Sequence, residues 1–120
     1  MFLKGAKLAI RSLIQFKVHP GAETAFEAAY LKHGFLDRAR TMPGFLSGEF
    51  LRSTDRASFW ATALWASQAD YEAWQHAYLS VFSAEEIQSL GRHLSKTPQG
   101  NTTEIVSTEK PNKKKKKKQA

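Results

Sequence analysis

The chain contains no cysteine. Disulfide cross-links and thiolate chemistry are therefore excluded, and the composition suits a reducing compartment. Long apolar runs are missing as well. No stretch approaches the ~20 residues that a transmembrane helix needs. The opening MFLKGAKLAI has no continuous apolar segment and no small-residue cleavage site, so no signal peptide is expected and a cytoplasmic location is. There is no Gly-rich phosphate loop and no Gly-x-Ser-x-Gly elbow, which argues against nucleotide-dependent and acyl-transfer chemistry. Metal-ligand spacing is also missing. His33 with Asp37 would give two ligands at most, too few for a closed site. No metal and no cofactor are expected.

Positive charge is abundant only at one end. The formal net charge is +7, yet seven lysines, Lys110 and Lys113 to Lys118, fall in the last stretch of the chain. The residues before Lys110 hold 11 Lys+Arg against 11 Asp+Glu and are neutral. The question of polyanion binding therefore concerns a tail alone. Residues 110–120 read as a disordered, lysine-rich tail. It either solubilises the chain or acts as a basic targeting signal. Otherwise Lys113–Lys118 make weak electrostatic contact with nucleic acid or an anionic membrane, binding that would fall with salt. The run has no interleaved aromatics with which to stack on bases or enter lipid.

What is present is a neutral, aromatic-rich stretch long enough for one domain. Residues 1–7 are a lead-in and 8–109 the domain. Its centre is FWATALWASQADYEAW, Phe59 to Trp74, which contains all three tryptophans. Phe59, Ala61, Ala63 and Trp65 alternate with Trp60, Thr62 and Leu64, the pattern of a central strand apolar on both faces. Trp60 and Trp65 must then face opposite ways. Ser67 can cap the helix that follows, with Asp70 three residues on. Tyr71, Trp74 and Tyr78 form one stripe along it.

Other elements follow in order. Leu8 to Val18 reads as a strand, with Ile14, Phe16 and Val18 on one face and Leu13, Gln15 and Lys17 on the other. His19-Pro20-Gly21 ends it. Ala22 to Arg40 reads as one helix, weakened by Gly34. Met42-Pro43-Gly44 turns the chain into a strand from Phe45 to Arg52, and 53–58 is a hairpin loop. Ser83 and Glu86 stand at capping-box spacing before a short helix to about His93. A loop over 96–101 precedes a last strand over 102–108. The order β-α-β-β-α-(α)-β predicts an α+β, ferredoxin-like fold: a four-stranded antiparallel sheet with the helices on one face. The other sheet face is apolar too and needs a cover. A second copy supplies one, so a homodimer closing toward a dimeric α+β barrel is expected.

The series Phe16-Lys17-Val18-His19-Pro20-Gly21, Phe26-Glu27-Ala28-Ala29, Pro43-Gly44-Phe45-Leu46, Leu64-Trp65-Ala66-Ser67 and Tyr71-Glu72-Ala73-Trp74 resembles the antibiotic biosynthesis monooxygenase domain over about residues 8–108. The resemblance implies a dimeric α+β barrel. It also implies either a cofactor-independent monooxygenase that oxidises a phenolic, quinol-like substrate, or a non-catalytic barrel that binds a small apolar ligand. A haem-degrading relative is a further alternative. That branch is similar in having a Trp on the second helix, matched here by Trp74, with an Asn on the first strand and a His about three turns after the Trp. The first-strand position falls at Ile14 or Gln15, and no histidine lies over 82–85.

For the cofactor-free branch, a deprotonated, electron-rich phenol passes an electron to oxygen while the protein binds the ring and excludes water. The site expected on that basis has His33, His76 and Trp74 as catalytic residues. Gln15, Phe26, Tyr30, Trp65 and Tyr71 are expected to bind a small aromatic molecule. A histidine suits proton transfer near neutral pH.

Overall fold

The computed structural model describes residues 8–111. The lead-in and the Lys113–Lys118 run, with its expected contact to nucleic acid or membrane, lie outside the described residues. Eight elements follow one another: β1 (Ile10–Lys17), α1 (Glu23–His33), α2 (Phe35–Ala39), β2 (Phe45–Arg52), β3 (Ser58–Trp65), α3 (Gln68–Val81), α4 (Ala84–Gly91) and β4 (Gln99–Glu104). The strands form one antiparallel sheet in the order β2-β3-β1-β4. This is the ferredoxin-like α+β fold that the element order predicts. Among the described residues no helix is long and apolar enough to cross a membrane.

Period-two alternation sorts the sheet into two faces. Ile10, Ser12, Ile14 and Phe16 of β1 stand beside Trp65, Ala63, Ala61 and Phe59 of β3 in register. This row faces the helices and carries the core, in which Trp65, Phe26 and Phe59 are the largest fully buried side chains. Burying each of them contributes about 1.5–3 kcal/mol. Leu13, Trp60, Leu64 and Leu51 occupy the alternate positions and make the open face apolar at its centre.

Local chemistry sets the helix ends. The Ser67 hydroxyl accepts from Asp70 N–H at 3.2 Å at the start of α3. Ser83 and Glu86 close a reciprocal capping box on α4. Both caps stand where the sequence predicts them. Three boundaries differ. The helix expected over 22–40 is two helices, because Gly34 takes a left-handed conformation (φ 60°) and turns the axis. The helix expected to end near Tyr78 runs on to Val81. The last strand starts at Gln99 and ends at Glu104, three residues earlier than expected at its start. Gln99 and Gly100 have weak strand propensity, but β1 imposes the register by pairing them with Gln15 and Ile14.

Candidate active site

Small side chains make the floor of a cavity. Ala61 and Ala63 of β3, Ser12 of β1 and Gly100 of β4 lie in neighbouring helix-facing positions of three adjacent strands. None of the four reaches far from the sheet, so the helices above them cannot close the gap. A half-open cavity of about 450 Å³ results. Its walls are large and aromatic: Phe16 from β1, Tyr30 from α1, Phe35 from α2, Trp65 at the end of β3, and Tyr71, Trp74 and Tyr78 from α3. Residues 71, 74 and 78 share a helix face, which is why one short segment supplies three of the seven.

The walls are held by ring contacts. Tyr30 stacks on Phe50 with centroids 3.8 Å apart and planes at 5°. The Trp65 indole meets Phe45 edge-on at 5.3 Å and Tyr71 at 5.9 Å. Trp74 meets Tyr78 edge-on at 6.0 Å. Trp65 is further fixed from below: its Nε1–H donates to Ser12 Oγ at 3.2 Å, and the Ser12 hydroxyl donates to Ala63 O at 3.4 Å.

Among the described residues, the lining contains no Asp, Glu, Lys, Arg or His. Its titratable groups are the three tyrosines, and burial pushes all three hydroxyls above the usual tyrosine range. Each is a neutral hydrogen-bond donor at physiological pH, and none is a base there. The cavity therefore suits an uncharged, flat, apolar ring system with a few polar substituents.

Four of the eight residues expected at a site come together here: Trp74, Trp65, Tyr71 and Tyr30. The other four do not reach the cavity. Gln15 alternates with Ile14 and Phe16, so it lies on the open sheet face beside Trp60 and Gln99. Phe26 is fully buried in the core, in contact with Phe16, Phe59 and Phe50 rather than with empty space. His33 ends α1, and its Nδ1 lies 3.4 Å from Glu86 Oε2. His76 is exposed on α3, two residues beyond Trp74 and therefore on the far side of that helix. Sequence reasoning missed Ser12, Gln75 and the floor alanines, and read Tyr78 only as part of a stripe. The signal for Ser12 was a lone hydroxyl in the otherwise apolar row Ile10-x-Ser12-x-Ile14-x-Phe16.

Among the described residues, no group of three or more His, Asp or Glu side chains could hold a metal ion. A haem in this cavity would find no histidine or thiolate to ligate its iron, so the lining does not fit that group.

The family model described as antibiotic biosynthesis monooxygenase matches residues 9–79, more than half of the chain. The chain belongs to this family. The matched segment runs from β1 through most of α3 and so includes the floor alanines, Ser12 and all of the aromatic walls. Similar solved structures agree on the fold. One is a monooxygenase from the ActVA-Orf6 gene of Streptomyces coelicolor in complex with nanaomycin D. It is 23% identical with a TM-score of 0.70, over 88% of this chain and 94% of that one. SnoaB, a cofactor-independent oxygenase from Streptomyces nogalater, is 20% identical with a TM-score of 0.64, over 84% and 96%. A dimeric ferredoxin-like protein from an uncultured marine organism is 14% identical with a TM-score of 0.68, over 89% and 96%. No curated protein matches the sequence.

Proposed function

We propose that this family member is a cofactor-independent monooxygenase, acting as a homodimer on a flat, phenolic, quinol-like aromatic substrate. The observation that carries the reading is the cavity: about 450 Å³, lined by seven aromatic side chains and free of charge. The similarity to SnoaB and to the ActVA-Orf6 monooxygenase supports it. The open sheet face and the dimeric relative support the homodimer.

The chemistry asks little of the protein. Oxidation of an anthrone-type CH₂ to a carbonyl consumes one O₂. One oxygen atom stays on carbon and the other leaves as water, so the substrate supplies all four electrons. Trp74, Trp65, Tyr71 and Tyr30 hold the ring and exclude water. The tyrosine hydroxyls and the Trp74 indole N–H are the donors that would stabilise a phenolate and the developing peroxide. With no base in the lining, the first proton passes to water at the open side. Substrates whose hydroxyl or CH₂ ionises readily are therefore favoured.

Purified, metal-free protein should raise oxygen uptake by 1,8-dihydroxyanthrone or a dihydroxynaphthalene well above the protein-free rate. Ala61→Leu fills the floor and should remove the increase while leaving the melting temperature unchanged or higher. An uptake rate equal to the blank would sink the catalytic reading. One observation favours a second reading: the lack of any lining group that titrates near neutrality. A non-catalytic barrel would bind these phenols in the same cavity without consuming oxygen, and the same titration separates the two.

A further inference from the structure

The cavity floor holds a buried hydroxyl whose hydrogen-bonding capacity is only partly used. Ser12 is 4% exposed, faces the helices between Ile10 and Ile14, and lines the cavity. Its Oγ accepts from Trp65 Nε1–H and its hydrogen goes to Ala63 O. A serine hydroxyl has one hydrogen to give and two lone pairs with which to accept. The hydrogen and one lone pair are committed. The second lone pair is left for whatever occupies the cavity.

The identity of the two partners decides the sense of the remaining bond. A backbone carbonyl only accepts, so it holds the Ser12 hydrogen. An indole N–H only donates, so it needs a Ser12 lone pair. Toward the cavity Ser12 is therefore an acceptor. The tyrosine hydroxyls, kept protonated by burial, and the Trp74 indole can all donate. Gln75 carries both senses but is exposed. An aromatic C–H edge leaves a buried oxygen lone pair unsatisfied, whereas a phenolic O–H satisfies it.

We infer that Ser12 is a specificity-determining residue: it selects ring compounds that present a hydroxyl hydrogen to the floor over compounds of similar size that cannot. The inference rests on the cavity being the ligand site, as in the proposed function, but it concerns recognition and not the oxygen chemistry.

The test compares 2-naphthol with 2-methoxynaphthalene by titration calorimetry, under argon so that turnover plays no part. The ether keeps the oxygen and the ring and lacks the donor. The wild type should bind 2-naphthol about three- to tenfold more tightly, the range of one net hydrogen bond. Ser12→Ala should bring the ratio to about one. Ser12→Cys keeps the shape with a poorer acceptor, and should also lower the ratio if S12A fails to fold. Trp65→Phe removes the partner of Ser12 but not its oxygen, so the ratio should stay above one even as both affinities weaken. A merely structural Ser12–Trp65 bond would make S12A and W65F behave alike. A wild-type ratio of one, or a ratio that survives in S12A, overturns the inference. If neither compound binds, the inference and the proposed site fall together. Selective binding without oxygen uptake in air would remove the catalytic reading and leave the role of Ser12 standing.

Discussion

Gly44 shows how a single atom can be excluded from this fold. It ends the Met42-Pro43-Gly44 turn at φ +83°, a conformation that side chains rarely adopt. Its carbonyl accepts from Ala66 N–H at 2.8 Å, which ties the turn to the chain between β3 and α3. A Cβ at this position would overlap the Asp70 carboxyl, the group that the Ser67 cap holds with an O–H···O bond of 2.9 Å. Gly44→Ala should therefore destabilise the protein by about 1–3 kcal/mol from backbone strain alone, with displacement of Asp70 adding to it. Urea denaturation measures this, and a change under 0.5 kcal/mol would contradict it. The Pro-Gly turn was legible in the sequence because its cause is local. The crowding by Asp70, 26 positions further on, was not. The site divides in the same way. Trp74 and Tyr71 were found because helical phase places them together. His33 and His76 were chosen for their chemistry, and phase placed them elsewhere.

At the level of elements, one carboxylate joins four helices. Glu86 sits in the first turn of α4, where its Oε1 accepts from Ser83 N–H at 3.0 Å. Arg38 of α2 approaches it with both terminal nitrogens, Nη1 donating to Oε1 at 3.1 Å. The same guanidinium donates to Val81 O at the end of α3 and lies 4.6 Å over the Phe82 ring. His33, the last residue of α1, completes the cluster. The Arg38 hydrogen bonds first, then the Ser83 N–H, hold the Glu86 carboxyl down to about 2 from an ordinary 4.5. Because the folded value is the lower one, this carboxylate stabilises the protein above pH 4.5, and the stabilisation is lost as pH falls toward 2. The acid limb of a plot of melting temperature against pH should accordingly be shallower for Glu86→Gln than for the wild type. Identical limbs would count against the clamp. The capping box was readable from Ser83-x-x-Glu86. The clamp was not, since Arg38 lies 48 positions away. The early start of β4 was hidden for a related reason: the strand that imposes it is far away in sequence.

For the whole molecule the unanswered surface is the open sheet face. Trp60, Leu13, Leu64 and Leu51 cluster there, with Leu51 41% exposed. Alternation also directs Thr62 to this face, and its buried Oγ1 is without a hydrogen-bond partner among the described residues. A covering surface would bury the apolar cluster. A homodimer joined through these faces follows as our proposal, and sedimentation should give twice the 13.5 kDa of one chain. Trp60→Lys places a charge at the centre of the face and should yield folded monomer. A wild type that sediments as a monomer at micromolar concentration would rule the arrangement out.

The three tryptophans stand in three different places: Trp65 on the cavity wall at the end of β3, Trp74 on the wall that α3 supplies, and Trp60 on the open face. The protein thus carries its own set of fluorophores. Variants that keep one indole each would separate three signals normally blended in a single emission band. Trp65 would report the integrity of the sheet, Trp74 would be quenched by an occupying ring, and Trp60 would shift to the blue as two faces meet. Folding, occupancy and assembly could then be followed in one cuvette without a label.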